Sequence, residues 1–160
     1  MEVILIRHAK SSWQDVSLLD YDRPLNSRGR RDGPIMAQLL SSKLHTDQSP
    51  RLIASSSKRT RQTAQYFIST LKIDDSMFTK NLYHASIHEL QEVIQEQATD
   101  SLNFIIAHNP GLTEALNQVP GLRLDNLPTC GVASLNYNGT PNTFTFEQCQ
   151  LNWINYPKAL

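Results

Sequence analysis

Val3 to Ile6 form an unbroken aliphatic run, followed at once by Arg7 and His8. Such a run is the pattern of a short strand covered on both faces. "RLIASS" (51–56) and "LNFIIAH" (102–108) read the same way. Between these runs the hydrophobic period becomes helical. Across Ser27 to Leu44 the residues Ile35, Met36, Leu39 and Leu40 share one helical face, and Gly33 and Pro34 predict separate or kinked first turns. Ala64, Phe67, Ile68 and Leu71 recur at i, i+3, i+4 and i+7. "SIHE" (86–89) has the form of a capping box, ahead of Leu90, Val93 and Ile94 on a third helical face. Asn109 and Pro110 suit an N-cap and a first helical residue, leading into Leu112, Ala115, Leu116 and Val119. From Val132 to Ile154 alternation returns in "TFTFEQ" near an Asn138-Gly139 turn, which predicts two antiparallel strands added at an edge. Strands alternating with helices predict an α/β, three-layer sandwich. Its central sheet is expected to be mostly parallel, with helices on both faces and antiparallel edge strands from the C-terminal region. With no internal repeat or linker, the 160 residues read as one domain, 1–160.

Composition narrows the function classes. Fifteen basic residues balance fifteen acidic ones, so bulk charge makes no case for a nucleic-acid or membrane partner. Cys130 and Cys149 form neither a disulfide framework nor a metal-ligand spacing and suit a reducing cytosol. "MEVILI" is too short for a signal h-region, and no apolar run is long enough to cross a bilayer. A cytoplasmic protein needing no cofactor or metal is expected.

The chemistry lies at the strand ends, where open parallel sheets collect their binding residues. The first strand ends in Arg7 and His8. The second leads through "SSSKRTRQT" (55–63), placing Lys58, Arg59 and Arg61 at a helix start, and the third ends in His108 before "NPGL". Each segment alone has an ordinary structural reading: a hydrogen-bonded histidine, a solvated helix start, a cap. Their coincidence at equivalent strand ends, beside helix N-termini, points to a phosphate or other oxyanion as ligand.

"LIRHAK", "SSSKRTRQTA" and "IAHNPG", in this order and spacing, resemble the histidine phosphatase superfamily, also called phosphoglycerate mutase-like. The short chain and "YDRPLNSRGRRD" (21–32) resemble its SixA phosphohistidine phosphatase branch, and the likeness extends to "LPTCGVASL" (127–135). The resemblance implies that His8 is a nucleophile carrying a transient phosphohistidine. Arg7, Arg59 and His108 would then surround the phosphoryl oxygens. Fixed cations suit a transition state whose charge is spread over those oxygens. Neutral His8 is expected, its tautomer fixed by a backbone carbonyl, with His108 a protonated donor beside bound phosphate. Arg23 is a candidate for the pocket rim or for a structural pair with Asp22. Ser12 and Trp13 are candidates for the entrance, and Lys58 and Arg61 for local positive potential.

Two positions depart from the family pattern. Ala9 stands where glycine is usual, requiring an ordinary backbone conformation there and leaving an N–H able to face phosphate. No carboxylate precedes Glu89 in "NLYHASIHEL" (81–90), and Asn109 follows His108, so no general acid is evident; Tyr83, His84 and His88 are fallback donors. A missing acid favours a phosphoramidate, whose imidazole leaves readily, over an alkoxide, for which an acid contributes roughly two to four powers of ten. The expected function is metal-independent hydrolysis of phosphohistidine on a phosphorylated protein, a phosphotransfer domain or phosphocarrier. The alternatives are a small-metabolite phosphatase of the same mechanism and a non-catalytic phosphate-binding module.

Overall fold

The computed structural model describes residues 1–44 and 49–160. In chain order the elements are β1 (Glu2–Arg7), α1 (Ser27–Lys43), β2 (Arg51–Ser55), α2 (Lys58–Leu71), β3 (Asp75–Thr79), α3 (Ile87–Gln97), β4 (Leu102–Ala107), α4 (Gly111–Leu116), β5 (Val132–Asn136) and β6 (Gln150–Asn155). The six strands form one sheet in the order β3-β2-β4-β1-β5-β6. β1, β2, β3 and β4 pair in parallel, while β5 and β6 add antiparallel at one edge. Because β1, β2 and β4 are buried on both sides, each strand feeds two cores. Leu5, Ile53 and Ile105 pack under α3 and α4, while Ile4, Ile6, Phe104 and Ile106 pack under α1 and α2. This is the expected three-layer α/β arrangement. No helix among the described residues is long and apolar enough to cross a membrane.

Several local expectations are corrected. α1 is one continuous helix with Pro34 inside it. Pro34 lies on the exposed face, where the carbonyl that loses its partner can be hydrated. The buried face of α1 is Gly29, Gly33, Met36, Ala37 and Leu40, and Ile35 points to solvent. "TFTFEQ" is not a strand. Its alternation buries Phe144 and Phe146 edge to face at 5.0 Å, but two 3-10 turns, Pro141–Thr143 and Phe146–Gln148, carry it. β3 left no apolar run because it is a half-exposed edge strand paired only with β2. The capping box at Ser86 and Glu89 is present as expected.

Register brings the site together. Arg7 stands opposite Ala107, and Ala54 opposite Ile106, so the carboxyl ends of β1, β4 and β2 lie side by side. The His8 N–H continues the ladder to the Ala107 carbonyl at 3.2 Å. α4 approaches the segment after β3 so closely that a Cβ on Gly111 would stand 2.0 Å from the Ala85 oxygen. Glycine at 111 therefore lets residues 83–85 settle against the strand ends.

Candidate active site

His8 leaves β1 with its ring buried. Its Nδ1–H donates to the Ala9 carbonyl at 2.7 Å, which leaves Nε2 with a lone pair, and Arg59 Nε donates to that nitrogen at 3.3 Å. Arg59, in the first turn of α2, is itself buried. Its Nη2 also reaches His108 Nδ1 at 3.2 Å. Guanidinium nitrogens only donate, so His108 Nδ1 accepts and its Nε2–H donates to Ser55 Oγ at 2.8 Å. The two histidine rings lie 5.1 Å apart. One arginine thus bridges two neutral histidines of opposite tautomer.

Burial is the main cause of that neutrality. It pushes the His8 pKa down to about 3, with Arg59 and Arg7 adding to the shift and the Ala9 carbonyl opposing it. His108 is pushed down to about 2 by burial and then by neighbouring His8 and Arg59. The hydrogen bonds of His108 match this neutral form, with Nδ1 accepting from Arg59 and Nε2–H donating to Ser55 Oγ. Stability against pH follows, because both folded values lie below the ordinary 6.5 and acid protonates the unfolded chain first. Stability is fullest above pH 6.5 and is lost as pH falls toward 3, at on the order of 1 kcal/mol per pH unit for each histidine. Urea denaturation at pH 7.5, 5.5 and 4.5 should give steadily lower midpoints, with a shallower trend in His108→Asn.

The carboxylate that the sequence did not reveal is Asp20, in a 3-10 turn (Asp20–Asp22) of the loop between β1 and α1. Its Oδ2 accepts from Arg59 Nη2 at 3.0 Å, Tyr83 Oη at 2.5 Å and His84 Nε2 at 2.9 Å. Its carbonyl accepts from Arg59 Nη1 at 2.6 Å. Burial alone would raise the Asp20 pKa, but the hydrogen bonds from Tyr83, His84 and Arg59 prevail and hold it well below the usual carboxylate range. Tyr83 is pushed up to about 12 by burial and by its hydrogen bond to Asp20. His84 adopts a left-handed backbone with φ 50° and lays its ring 5.0 Å from that of His108. Tyr83 and His84, weak candidates in the sequence, are thus at the site. His88 instead pairs with Glu92 on α3.

Arg7 and Arg23 take different positions. Arg7 Nη1 donates to the Leu127 carbonyl at 2.8 Å and to Asn126 Oδ1 at 3.3 Å, while its buried Nε has no hydrogen-bond partner among the described residues. Asn109 supports the same loop. Its Nδ2 donates to Asn126 Oδ1 and the Leu127 carbonyl, while its Oδ1 accepts from the Thr113 N–H and hydroxyl and so caps the first turn of α4, although the N-cap position itself is Pro110 and not Asn109. Arg7 also lines a cavity of about 270 Å³ with Lys10, Arg28 and Lys158. Arg23 is buried and pairs with Asp20 rather than Asp22, at 3.0 Å. Its other donors go to the Ser12 carbonyl and Ser11 Oγ, and its guanidinium lies 3.2 Å from the Trp13 ring centroid. Arg23 thus positions the loop that presents Asp20. Ala9 has no positive φ, as expected, but its N–H is taken by Thr63 Oγ1 at 3.0 Å and does not face the pocket. Arg61 turns to the Ser56 carbonyl and the Phe78 ring.

The family model described as histidine phosphatase superfamily (branch 1) matches residues 3–110. An uncharacterized chloroplastic protein of Arabidopsis thaliana is 35% identical over 151 residues, covering 86% of this chain; the chain spans 66% of that relative's length. Among solved structures, a SixA from Agrobacterium tumefaciens superposes with a TM-score of 0.82 at 25% identity, covering 98% of this chain and 97% of its own. A protein histidine phosphatase, SixA, solved in complex with tungstate gives 0.80 at 20% identity, covering 99% of both chains.

Proposed function

Since this chain belongs to the histidine phosphatase superfamily, branch 1, we propose that it is a phosphatase with His8 as nucleophile, acting on phosphohistidine carried by a protein. The observation that carries the reading is Arg59 bridging His8 Nε2 and His108 Nδ1. The arginine donates to a neutral His8, which has on Nε2 the lone pair a nucleophile needs and a tautomer fixed by the Ala9 carbonyl. As phosphorus arrives, the Arg59 donors turn from the ring nitrogens to the phosphoryl oxygens, where preorganised charge lowers the barrier. The His8 Nε2–P bond forms, and the substrate P–N bond breaks with its electron pair returning to the substrate imidazole. Water then attacks the phosphorylated His8. The P–Nε2 bond breaks with its electron pair returning to Nε2, His8 regains its neutral form with Nδ1–H still on the Ala9 carbonyl, and the water protons leave with inorganic phosphate. A phosphoryl dianion beside His108 favours a proton on its Nδ1, which turns that nitrogen from acceptor to donor.

The leaving group supports the phosphohistidine reading. The carboxyl that reaches the cluster, Asp20, is held ionised by its donors, and Tyr83 holds its proton strongly. Neither is suited to protonate a departing alkoxide, whereas imidazole leaves without that help. The structural likeness to a protein histidine phosphatase points the same way. A second reading, a small phosphorylated metabolite with a further acidic group, is favoured by the cavity beside Arg7, whose charged lining residues are all cations.

Turnover of a histidine-phosphorylated carrier domain and of p-nitrophenyl phosphate, compared in chelator, tests the choice. The expected kcat/KM is at least about tenfold higher for the phosphoprotein, the scale of one lost or gained charged hydrogen bond. An inert phosphoprotein beside rapid hydrolysis of a phosphorylated carboxylic acid would move the assignment to the metabolite.

A further inference from the structure

Asp20 has a placement that phosphate binding does not explain. A carboxylate next to a phosphoryl site repels the oxyanion, and such charges are removed unless something there needs them. Here the negative charge is tied in by four side chains, Arg23, Arg59, Tyr83 and His84. Oδ2 takes three of these bonds, while Oδ1 takes only that from Arg23 and keeps accepting capacity. The side chain stays 40% exposed. Arg59 faces His8 through Nε and Asp20 through Nη1 and Nη2. A phosphoryl group held by this guanidinium therefore has the nucleophile at one end and the carboxylate near the other, where a leaving group attached to phosphorus must extend.

We infer that Asp20 is a specificity-determining residue that accepts the N–H of the distal ring nitrogen of a phosphoimidazole, selecting phosphohistidine over oxygen esters. This rests on the phosphatase reading above. An alkoxide or phenolate leaving group offers no N–H and develops negative charge, which an ionised carboxylate opposes. A phosphoimidazole protonated on its distal nitrogen is cationic and donates to the carboxylate. When the His8 Nε2–P bond forms and the substrate P–N bond breaks, the electron pair neutralises that cation. The ring departs as neutral imidazole with its distal proton still in place, and no proton is delivered at the breaking bond. An ionised Asp20 thus does for this leaving group what a general acid does for an alkoxide. The low carboxyl pKa, a defect in an acid, suits a permanent acceptor.

The test is kcat/KM of wild type, Asp20→Asn and Asp20→Glu on free phosphohistidine and on p-nitrophenyl phosphate, with thermal melts of each protein. Asp20→Asn should lose about tenfold or more on phosphohistidine, the scale of a charged hydrogen bond, and gain on the aryl ester, whose repulsion has been removed. Asp20→Glu, which keeps a carboxylate, should recover part of the preference. Equal losses on both substrates would reduce Asp20 to a positioning residue for Arg59 and overturn the inference, as would no change on either. A wild type that hydrolyses the ester but not phosphohistidine would overturn the phosphohistidine reading itself, an outcome visible before any variant is compared.

Discussion

His8→Ala should abolish turnover of any phosphorylated substrate, with kcat falling by at least about four powers of ten, the scale of losing a nucleophile. The variant loses the imidazole whose tautomer the Ala9 carbonyl fixes and whose Nε2 lone pair turns to phosphorus when Arg59 releases it. His108 Nδ1 is held by Arg59 and its Nε2–H by Ser55. The variant should remain folded. The hydrogen bond it removes at Nδ1 ends on the Ala9 carbonyl of the same loop, and the backbone ladder through the His8 N–H is untouched. Losing one buried imidazole should also flatten the acid side of the stability profile. Substrate labelled at phosphorus and quenched in alkali should leave label on the wild-type protein and none on the variant. Label retained by His8→Ala would place the covalent intermediate elsewhere.

Three segments distant in sequence supply His8, Arg59 and His108, and all three were legible because β1, β2 and β4 are buried on both faces. Unbroken aliphatic runs mark such strands, and whatever follows them stands at the sheet edge. Arg59 was singled out only through its match to the family pattern, since the guanidiniums of Lys58-Arg59-Thr60-Arg61 look alike until the helix turns one of them inward. Asp20 could not be read this way. It lies in a loop without hydrophobic period, among Asp15, Asp20 and Asp22, and its role comes from Arg23, Arg59, Tyr83 and His84 converging on it. The nearest sequence signal is Arg23, for which a pair with adjacent Asp22 is one of two readings; the structure pairs it with Asp20, three residues earlier. β3 was missed for the converse reason, since an edge strand with exposed Asp75 and Ser76 has no run to detect. "TFTFEQ" shows that alternating burial does not require extended backbone when two aromatic rings can stack inward from successive turns.

Arg59→Lys should be nearly as damaging as loss of the nucleophile, although charge is retained. The guanidinium directs Nε to His8, Nη2 to His108 and Asp20 Oδ2, and Nη1 to the Asp20 carbonyl, all from one rigid plane. A lysine ammonium is a point donor on a flexible stem and can meet only part of that set. Drawn toward the Asp20 carboxylate, it would leave His8 Nε2 and His108 Nδ1 without their donor. With the histidines, it would leave the carboxylate to Arg23, Tyr83 and His84. Either way the phosphoryl oxygens lose a preorganised fork, and removal of one such donor costs about 10² to 10³ in kcat. The loss should appear in kcat more than in KM, because the donors are engaged most fully when charge spreads over the equatorial oxygens. Adding guanidinium ion to Arg59→Lys, or better to Arg59→Ala, should restore part of the rate by refilling the planar site. If ammonium rescued equally well, charge rather than fork geometry would be what Arg59 contributes.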